Sequence, residues 1–416
     1  MRSRTGAAVA AWLLAALYYF YQYVLRSSPG VMMPQLSQAF GLSAAGVASL
    51  VTLFYYGYAP FSLIAGPAID RLGAKAVIPV GALMAGAGAL MFGSGNLTAA
   101  YIGRFLQGAG GVFALIGAVY IISRNFPASR GATLVGATQM FGSSGGSAGQ
   151  FLVGPMIAGG LAWNRYWTVM GIAGLAMAAL LFILLPKPEA AKRRDSWIKG
   201  PATAVAAVFK NPQSILCGLL AGLFFIPTTI FDMIWGVRFL QEGHGFDYAE
   251  AVIRSATVPF GWILGSPLMG MLSDRIGRRK PVIVFGGCLL MGSLLWILYG
   301  PKDALPPYVL GFSAGFASGA AMVTYTVVKE ANPPQFGGTA TGVIGFLNFT
   351  FSALIGPVFG SRLQRFSGGL DSGLDQYQMT FQPLIYGVAL AVLLTVFLLK
   401  ETGPAARVPA ATAEAA

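Results

Sequence analysis

The sequence predicts an all-α membrane protein of twelve transmembrane helices, arranged as two pseudo-symmetric six-helix bundles. Three observations carry this: composition, the recurrence of long apolar runs, and an internal repeat. Of 416 residues, 56% are hydrophobic and 10% are charged, and mean hydropathy is +0.67. So few charges cannot coat a water-soluble fold of this size. Apolar stretches of about 20 residues, the length that crosses ~30 Å of hydrocarbon as a helix, recur along the whole chain.

Spans are predicted at Ala8–Pro34, Ala44–Gly66, Ala76–Gly93, Ala99–Ser123, Gly131–Ala158 and Tyr166–Leu185, then at Gln213–Leu240, Tyr248–Leu272, Pro281–Gly300, Pro307–Val328, Thr339–Leu363 and Gln378–Leu399. The basic start Met1-Arg2-Ser3-Arg4 superficially resembles a secretory leader. The apolar run that follows continues past Tyr23 without a small-residue cleavage site, so it reads as the first span. Most connections are short. The exception runs from Pro186 to Pro212 and carries Lys187, Lys192, Arg193, Arg194, Lys199 and Lys210. The expected organisation is therefore a bundle over 1–185, a basic cytoplasmic linker over 186–212, a second bundle over 213–400 and a short, Ala-rich, disordered cytoplasmic tail over 401–416.

Charge placement sets the expected topology. Arg and Lys concentrate in both termini and after spans 2, 4, 6, 8 and 10, whereas the alternate segments hold only Arg165, Arg238, Lys302, Arg362 and Arg365. Basic loops stay on the cytoplasmic side, so both termini are expected there, in a multi-pass inner membrane protein. The net charge of +13 then reads as topology rather than as a nucleic-acid surface. Cys217 and Cys288 both sit in apolar runs, which argues against a disulfide framework.

The repeat is legible by eye. Gly66-Pro67-Ala68-Ile69-Asp70-Arg71-Leu72-Gly73-Ala74-Lys75 follows span 2, and Gly270-Met271-Leu272-Ser273-Asp274-Arg275-Ile276-Gly277-Arg278-Arg279-Lys280 follows span 8. Both read G-x-x-x-D-R-x-G-x-[KR]. A weaker echo pairs Pro127-Ala128-Ser129-Arg130-Gly131 with Pro334-Gln335-Phe336-Gly337-Gly338 after spans 4 and 10. Two six-span halves repeated in parallel is a transporter architecture with its substrate site between the halves, near the membrane midplane.

The paired loops resemble the signature cytoplasmic loop of the major facilitator superfamily. Arg104-Phe105-Leu106-Gln107-Gly108 resembles its fourth-helix motif, and the Gly/Ser-rich stretch Gly142 to Gly149, ending in Gly154-Pro155, resembles its fifth-helix motif. Ala74 departs from the pattern, standing where the family usually has a basic residue. The resemblance implies alternating access by rocking of two rigid halves. Asp70, Arg71, Asp274, Arg275 and Arg278 are then the expected gating residues, with Arg104, Gly142, Gly154 and Pro155 as structural motif positions.

An ionisable side chain inside a span is a functional-site hypothesis by default. Arg26 lies deep in span 1, and Tyr19, Gln22 and Tyr23 share its face by helical spacing. Pro29 and Gly30 follow and are placed to bend the helix. The segment from Tyr23 to Pro34 resembles the first helix of the organic-anion and organophosphate branches, where a first-helix arginine binds the substrate's carboxylate or phosphate. A guanidinium suits that task because it offers a planar fork of donors and stays charged when desolvated. Substrate binding stands beside a structural ion pair and a position nearer a membrane interface as readings of Arg26. Asp232 in span 7 is close to the repeat mate of Arg26, so both are expected to face one central cavity. Thr229 and Trp235 share its face. Asp232 reads as a proton-coupling acid, as a contact for a substrate ammonium, or as half of a salt bridge.

Enzymatic chemistry is not expected. Two G-x-S-x-G matches, Gly142-Ser143-Ser144-Gly145-Gly146 and Gly311-Phe312-Ser313-Ala314-Gly315, lie inside apolar spans, and the only histidine is His244. A nucleophile elbow needs a strand–turn–helix and a histidine base. No metal or cofactor motif is present. The sequence therefore predicts a secondary transporter, expected to be monomeric, for a small organic solute: an anionic carboxylate, moved with or without a proton. Zwitterionic amino acids or short peptides are the alternative substrates, and a non-transporting membrane solute sensor is the alternative class.

Overall fold

A computed structural model describes residues 2–126, 128–186, 199–301, 306, 308–333, 336–367 and 373–403. The basic stretch 187–198, Pro127, Lys302, Pro334, Gln335 and the tail from 404 onward lie outside the described residues. So do the side chains of Asp70 and Arg71.

The chain is helical throughout, with no strand among the described residues. In order it forms α1 (Arg2–Ser27), a 3-10 turn (Ser28–Met32), α2 (Met33–Phe40), α3 (Ala44–Leu72), α4 (Ala74–Phe92), α5 (Leu97–Asn125), α6 (Ala128–Phe151), α7 (Val153–Ala158) and α8 (Trp163–Leu184). Then come α9 (Lys199–Lys210), α10 (Pro212–Ile226), two π-helical stretches (Pro227–Gly236 and Phe239–Gly243), α11 (Tyr248–Ile276), α12 (Lys280–Tyr299), α13 (Val309–Ser318), α14 (Ala321–Glu330), α15 (Gly337–Ser367) and α16 (Leu374–Phe397). Among the described residues, ten helical stretches are long and apolar enough to cross a membrane. The other two expected spans, α6 and α11, are helices of 24 and 29 residues packed on one another. Their Gly/Ser content and charged ends lower their hydropathy.

Helix starts follow local capping chemistry. Ser43 and Asn96 accept from the backbone N–H of Gly46 and Ala99, and Asp247 accepts from that of Glu250. Each satisfies a donor that the helix itself leaves unpaired. Large apolar side chains left uncovered, such as Val169, Ile172, Phe182 and Ile183 of α8, form the surface a bilayer would solvate.

The repeat has a three-dimensional counterpart. Gly73 ends α3 at φ +78° and Gly277 ends α11 at φ +69°, a backbone region where a side chain is strained. Their N–H groups donate to Ile69 (2.9 Å) and Asp274 (3.2 Å). Deeper in, a Cβ on Gly108 of α5 would collide with the carbonyl of Phe54 in α3, and a Cβ on Gly315 of α13 with the carbonyl of Val258 in α11. The same close crossing thus occurs once in each half of the chain, at nearly the offset of the signature loops.

The two ends of the molecule differ. At the end opposite the chain termini, helices before and after the linker meet closely. Gly30 lies against the Met233 carbonyl, Gly154 against Val252, and Tyr248 donates to the Val31 carbonyl. At the terminal end a cavity of about 230 Å³ opens between α3, α5 and α6 on one side and α14 and α15 on the other, lined by Tyr58, Tyr120, Gln139, Tyr325 and Lys329 among others.

Candidate functional site

Arg26 lies against Phe349, one of the residues that line that cavity. It is 2% exposed, and its Nε donates to the Tyr55 hydroxyl at 3.2 Å. The guanidinium carbon lies 5.0 Å from the Tyr23 ring, 5.1 Å from Tyr55 and 5.0 Å from Phe349. Three electron-rich faces therefore stabilise the cation. One of its terminal nitrogens has no hydrogen-bond partner, and among the described residues no carboxylate pairs with it. A narrow chamber of about 10 Å³ adjoins it, lined by Tyr23, Gln139, Ser143, Phe225, Thr228, Thr229 and Trp262 among others. Gln139 lines both this chamber and the larger cavity.

The chamber's polar groups are cross-braced. Tyr19 donates to Gln139 at 3.0 Å, Trp262 donates to the Thr228 hydroxyl at 2.9 Å, and Tyr55 donates to the Thr229 carbonyl at 3.1 Å. Tyr19 fits because Gly142 carries no side chain where its ring lies. Arg104 approaches from α5. It donates to the carbonyls of Val51 (3.0 Å), Leu25 (2.8 Å) and Arg26 (3.1 Å) and to Gln107 Oε1 (2.7 Å). Arg104 is thus consumed by backbone and one amide, and it fixes the segment that presents Arg26.

Three sequence-level expectations are corrected by this geometry. Gln22 was placed on the face of Arg26, but it is buried against Gly111 of α5. Residues four apart on an α-helix differ by about 40° around the axis, enough to put one on the helix seam and the other in the chamber. Arg26 and Asp232 were expected to share one cavity. Asp232 instead lines a separate cavity with Phe239, His244, Arg254 and Ser255, and no ion pair joins it to Arg26. Thr229 and Trp235 were expected beside Asp232. Thr229 faces the Arg26 chamber, whereas Trp235 is buried near Phe381, 6.4 Å away. The cause of both is the π-helix, which closes i→i+5 bonds and so rotates successive residues differently from an α-helix.

Of the expected gating residues, Asp274 pairs with Arg279 at 2.6 Å, and Arg279 also binds Glu330 at 2.8 Å. Arg275 and Arg278 are exposed. Arg279 fills the final basic position of the repeat pattern but was not among the expected gating residues, because the pattern does not say which of its basic side chains turns back onto Asp274. Gly154 packs on Val252 and Pro155 is exposed. Phe349 and Trp262 were also missed, since an apolar aromatic in an apolar helix carries no signal until a cation faces it.

Helical spans and a cation-bearing chamber between early and late helices define a multi-pass membrane carrier. The chain belongs to the Major Facilitator Superfamily, whose sequence profile matches residues 15–357; members of this family are transporters and not enzymes. It is similar to the probable sulfoacetate transporter SauU of Cupriavidus necator, at 24% identity over 84% of this chain and 86% of that one. It is 27% identical to the hexuronate transporter of Bacillus subtilis over 80% and 83% of the two chains, and 22% identical to the membrane sensor protein UhpC of Salmonella typhimurium over 83% and 82%. Its fold matches that of a mutant of the nucleoside transporter NupG with a TM-score of 0.71 and 16% identity, covering 94% of this chain and all of that one.

Proposed function

We propose that this protein is a secondary transporter that carries a small organic carboxylate across the inner membrane by alternating access. The observation that carries the reading is Arg26: a buried guanidinium, held by aromatic faces, with one nitrogen unpartnered and, among the described residues, no carboxylate to neutralise it. An uncompensated buried charge is costly, and an incoming carboxylate or phosphate supplies what the site lacks. The chamber's single cation favours a monoanion. The zwitterion reading loses support, because Asp232 does not line the chamber. Relatives named for sulfoacetate and hexuronate transport support an anionic solute.

In this reading residues 1–185 and 213–400 are the two rocking bundles joined by the linker 186–212, with a monomer as the working unit. The terminal face is cytoplasmic, so the present conformation is open to the cytoplasm. Asp232 couples transport to a proton. Asp274, with Arg279, Glu330 and the loop at Asp70 and Arg71, controls the cytoplasmic side. A sensing role is the second reading, favoured by the similarity to UhpC.

A thermal-shift screen of purified protein against carboxylates, sugar phosphates, amino acids and dipeptides tests the proposal, since a ligand that binds only the folded state raises its stability. A carboxylate is expected to stabilise the protein, and Arg26→Lys to weaken its binding about tenfold or more through loss of the bidentate fork. Stabilisation by amino acids alone, or binding indifferent to Arg26→Lys, overturns it. Accumulation of the hit in proteoliposomes separates transport from sensing.

A further inference from the structure

A furrow that lies outside the Arg26 chamber runs over α11, with α6 as one wall and α13 as the other, and encloses about 740 Å³. Its floor is Ile253, Ala256, Thr257 and Phe260 of α11. Its late wall is Val309, Phe312, Ser313 and Phe316 of α13. Each set repeats as i, i+3, i+4, i+7, the spacing of a single helix face. Ser147 and Phe151 of α6 supply the early wall. The furrow therefore follows the helix axes for about 10 Å, at ~1.5 Å per residue. Phe151, Phe260 and Val309 border its open side and are about half exposed. Its outer end, at Phe151 and Ile253, is within one turn of Gly154 and Val252, which meet on the closed face.

The hydrogen-bonding capacity inside the furrow is already spent. Ser147 donates to the Ala256 carbonyl at 3.0 Å, Thr257 donates to the Arg254 carbonyl at 2.6 Å, and Ser313 and Ser293 bond each other at 2.9 Å. Among the described residues no charged side chain lines it. A polar solute finds no anchor there, and a water would lack the several polar partners that hold one in place. An empty slot between apolar spans forfeits dispersion contacts along its whole lining. We propose that the furrow binds one acyl chain of a phospholipid from the leaflet opposite the termini, and that the bound chain favours closure of that face. The proposal takes its membrane orientation and the rocking of two bundles from the transport reading above.

Shape and direction select the chain over a second copy of the protein. A partner helix is about 10–12 Å across, and it would have to enter between α6 and α13, which both pack on α11. A single run of methylenes is narrow and lies along the spans, as the furrow does. The coupling follows from the origin of the walls. α6 belongs to the early bundle, whereas α11 and α13 belong to the late one. They are held together by Ser147 on the Ala256 carbonyl and by Gln150, which donates to Ser255 at 3.2 Å. Opening that face parts α6 from α11 and removes one wall. The chain then binds the closed form more tightly than the open one, and that difference sets how far it shifts the equilibrium.

Photolabelling locates the chain. The protein is reconstituted with phosphatidylcholine that carries a diazirine either near the headgroup or at the end of one acyl chain, and labelled residues are mapped by mass spectrometry. Furrow residues are expected to be labelled several-fold more than Val169 and Ile172 on the exposed face of α8. The headgroup-proximal probe should mark Ile253 and Val309, and the chain-end probe Phe260 and Phe316. Ile253→Trp, which fills the furrow, is expected to remove this labelling and leave that of α8 unchanged, which also shows that the variant is folded. Furrow labelling no stronger than that of α8, as passing lipid or a second copy seated there would give, overturns the site. A reversed order of the two probes overturns the leaflet. Closure is read in protein without Cys217 and Cys288, by labelling Ser143→Cys with an impermeant thiol reagent from outside. The rate is expected to rise several-fold in diphytanoyl lipid, whose side methyls widen each chain, and Ile253→Trp to abolish that rise. Equal rates in the two lipids, or a rise that survives Ile253→Trp, overturn the coupling. Arg26→Gln abolishes carboxylate binding and is expected to leave the photolabelling intact, so failure of one reading does not imply failure of the other.

Discussion

At the scale of residues, Arg26 and Arg104 are both fully enclosed, yet their surroundings assign them different work. Arg104 spends its donors on three carbonyls and the Gln107 amide. Removing it leaves those buried acceptors unpaired, at about 1–3 kcal/mol each for groups that find no substitute. Arg104→Gln is therefore expected to lower the melting temperature markedly in detergent. Arg26 has an unpartnered nitrogen and, among the described residues, no counter-charge. Burial without a partner is a liability in the empty protein, so Arg26→Gln is expected to leave thermal stability unchanged or raise it while abolishing the carboxylate-induced shift. A drop in stability as large as that of Arg104→Gln would mean that Arg26 is structural.

At the scale of elements, residues just beyond α16 reach back to start α12. Glu401 accepts from the backbone N–H of Arg279 (2.7 Å), Lys280 (3.1 Å), Thr402 (3.0 Å) and Gly403 (3.1 Å), capping α12 from a distance. Partial burial alone would raise its carboxyl, but the four donors prevail and hold it below the ordinary glutamate range. A depressed folded value means a contribution that is complete above about pH 4.3, the unfolded value, and lost as pH falls through the folded one. The melting temperature is expected to decline through that window, and Glu401→Gln to flatten the decline. An unchanged pH profile in Glu401→Gln would remove the cap from the account. The sequence reading assigned 401–416 to the tail. Residues 401–403 belong to the packed structure, and no local pattern in Lys400-Glu401-Thr402-Gly403 announces a partner over a hundred residues away.

At the scale of the whole molecule, the conformation is set by how closely the early and late helices approach at the end opposite the termini. Gly30 touches the Met233 carbonyl there, and any side chain must push the two apart. Gly30→Leu is expected to shift the population toward opening at that end. The measurement is labelling of Ser143→Cys by an impermeant thiol reagent added from outside, in protein without Cys217 and Cys288, and it should rise several-fold. No increase would show that Gly30 is not part of the closure.

The sequence by itself determined the membrane environment, the helical class, the repeat and the family, because hydropathy, charge placement and turn glycines act locally and recur in register. It also picked out Arg26, Tyr19, Tyr23 and Asp232, since polar groups stand out in apolar helices. Only the tertiary structure decided which of them meet. The π-helix after Pro227 turned Asp232 away from Arg26, and a seam with α5 took Gln22. Phe349 and Tyr55 were brought to Arg26 from α15 and α3. Those outcomes depend on the rotation and crossing of helices distant in sequence, which no spacing along one helix encodes.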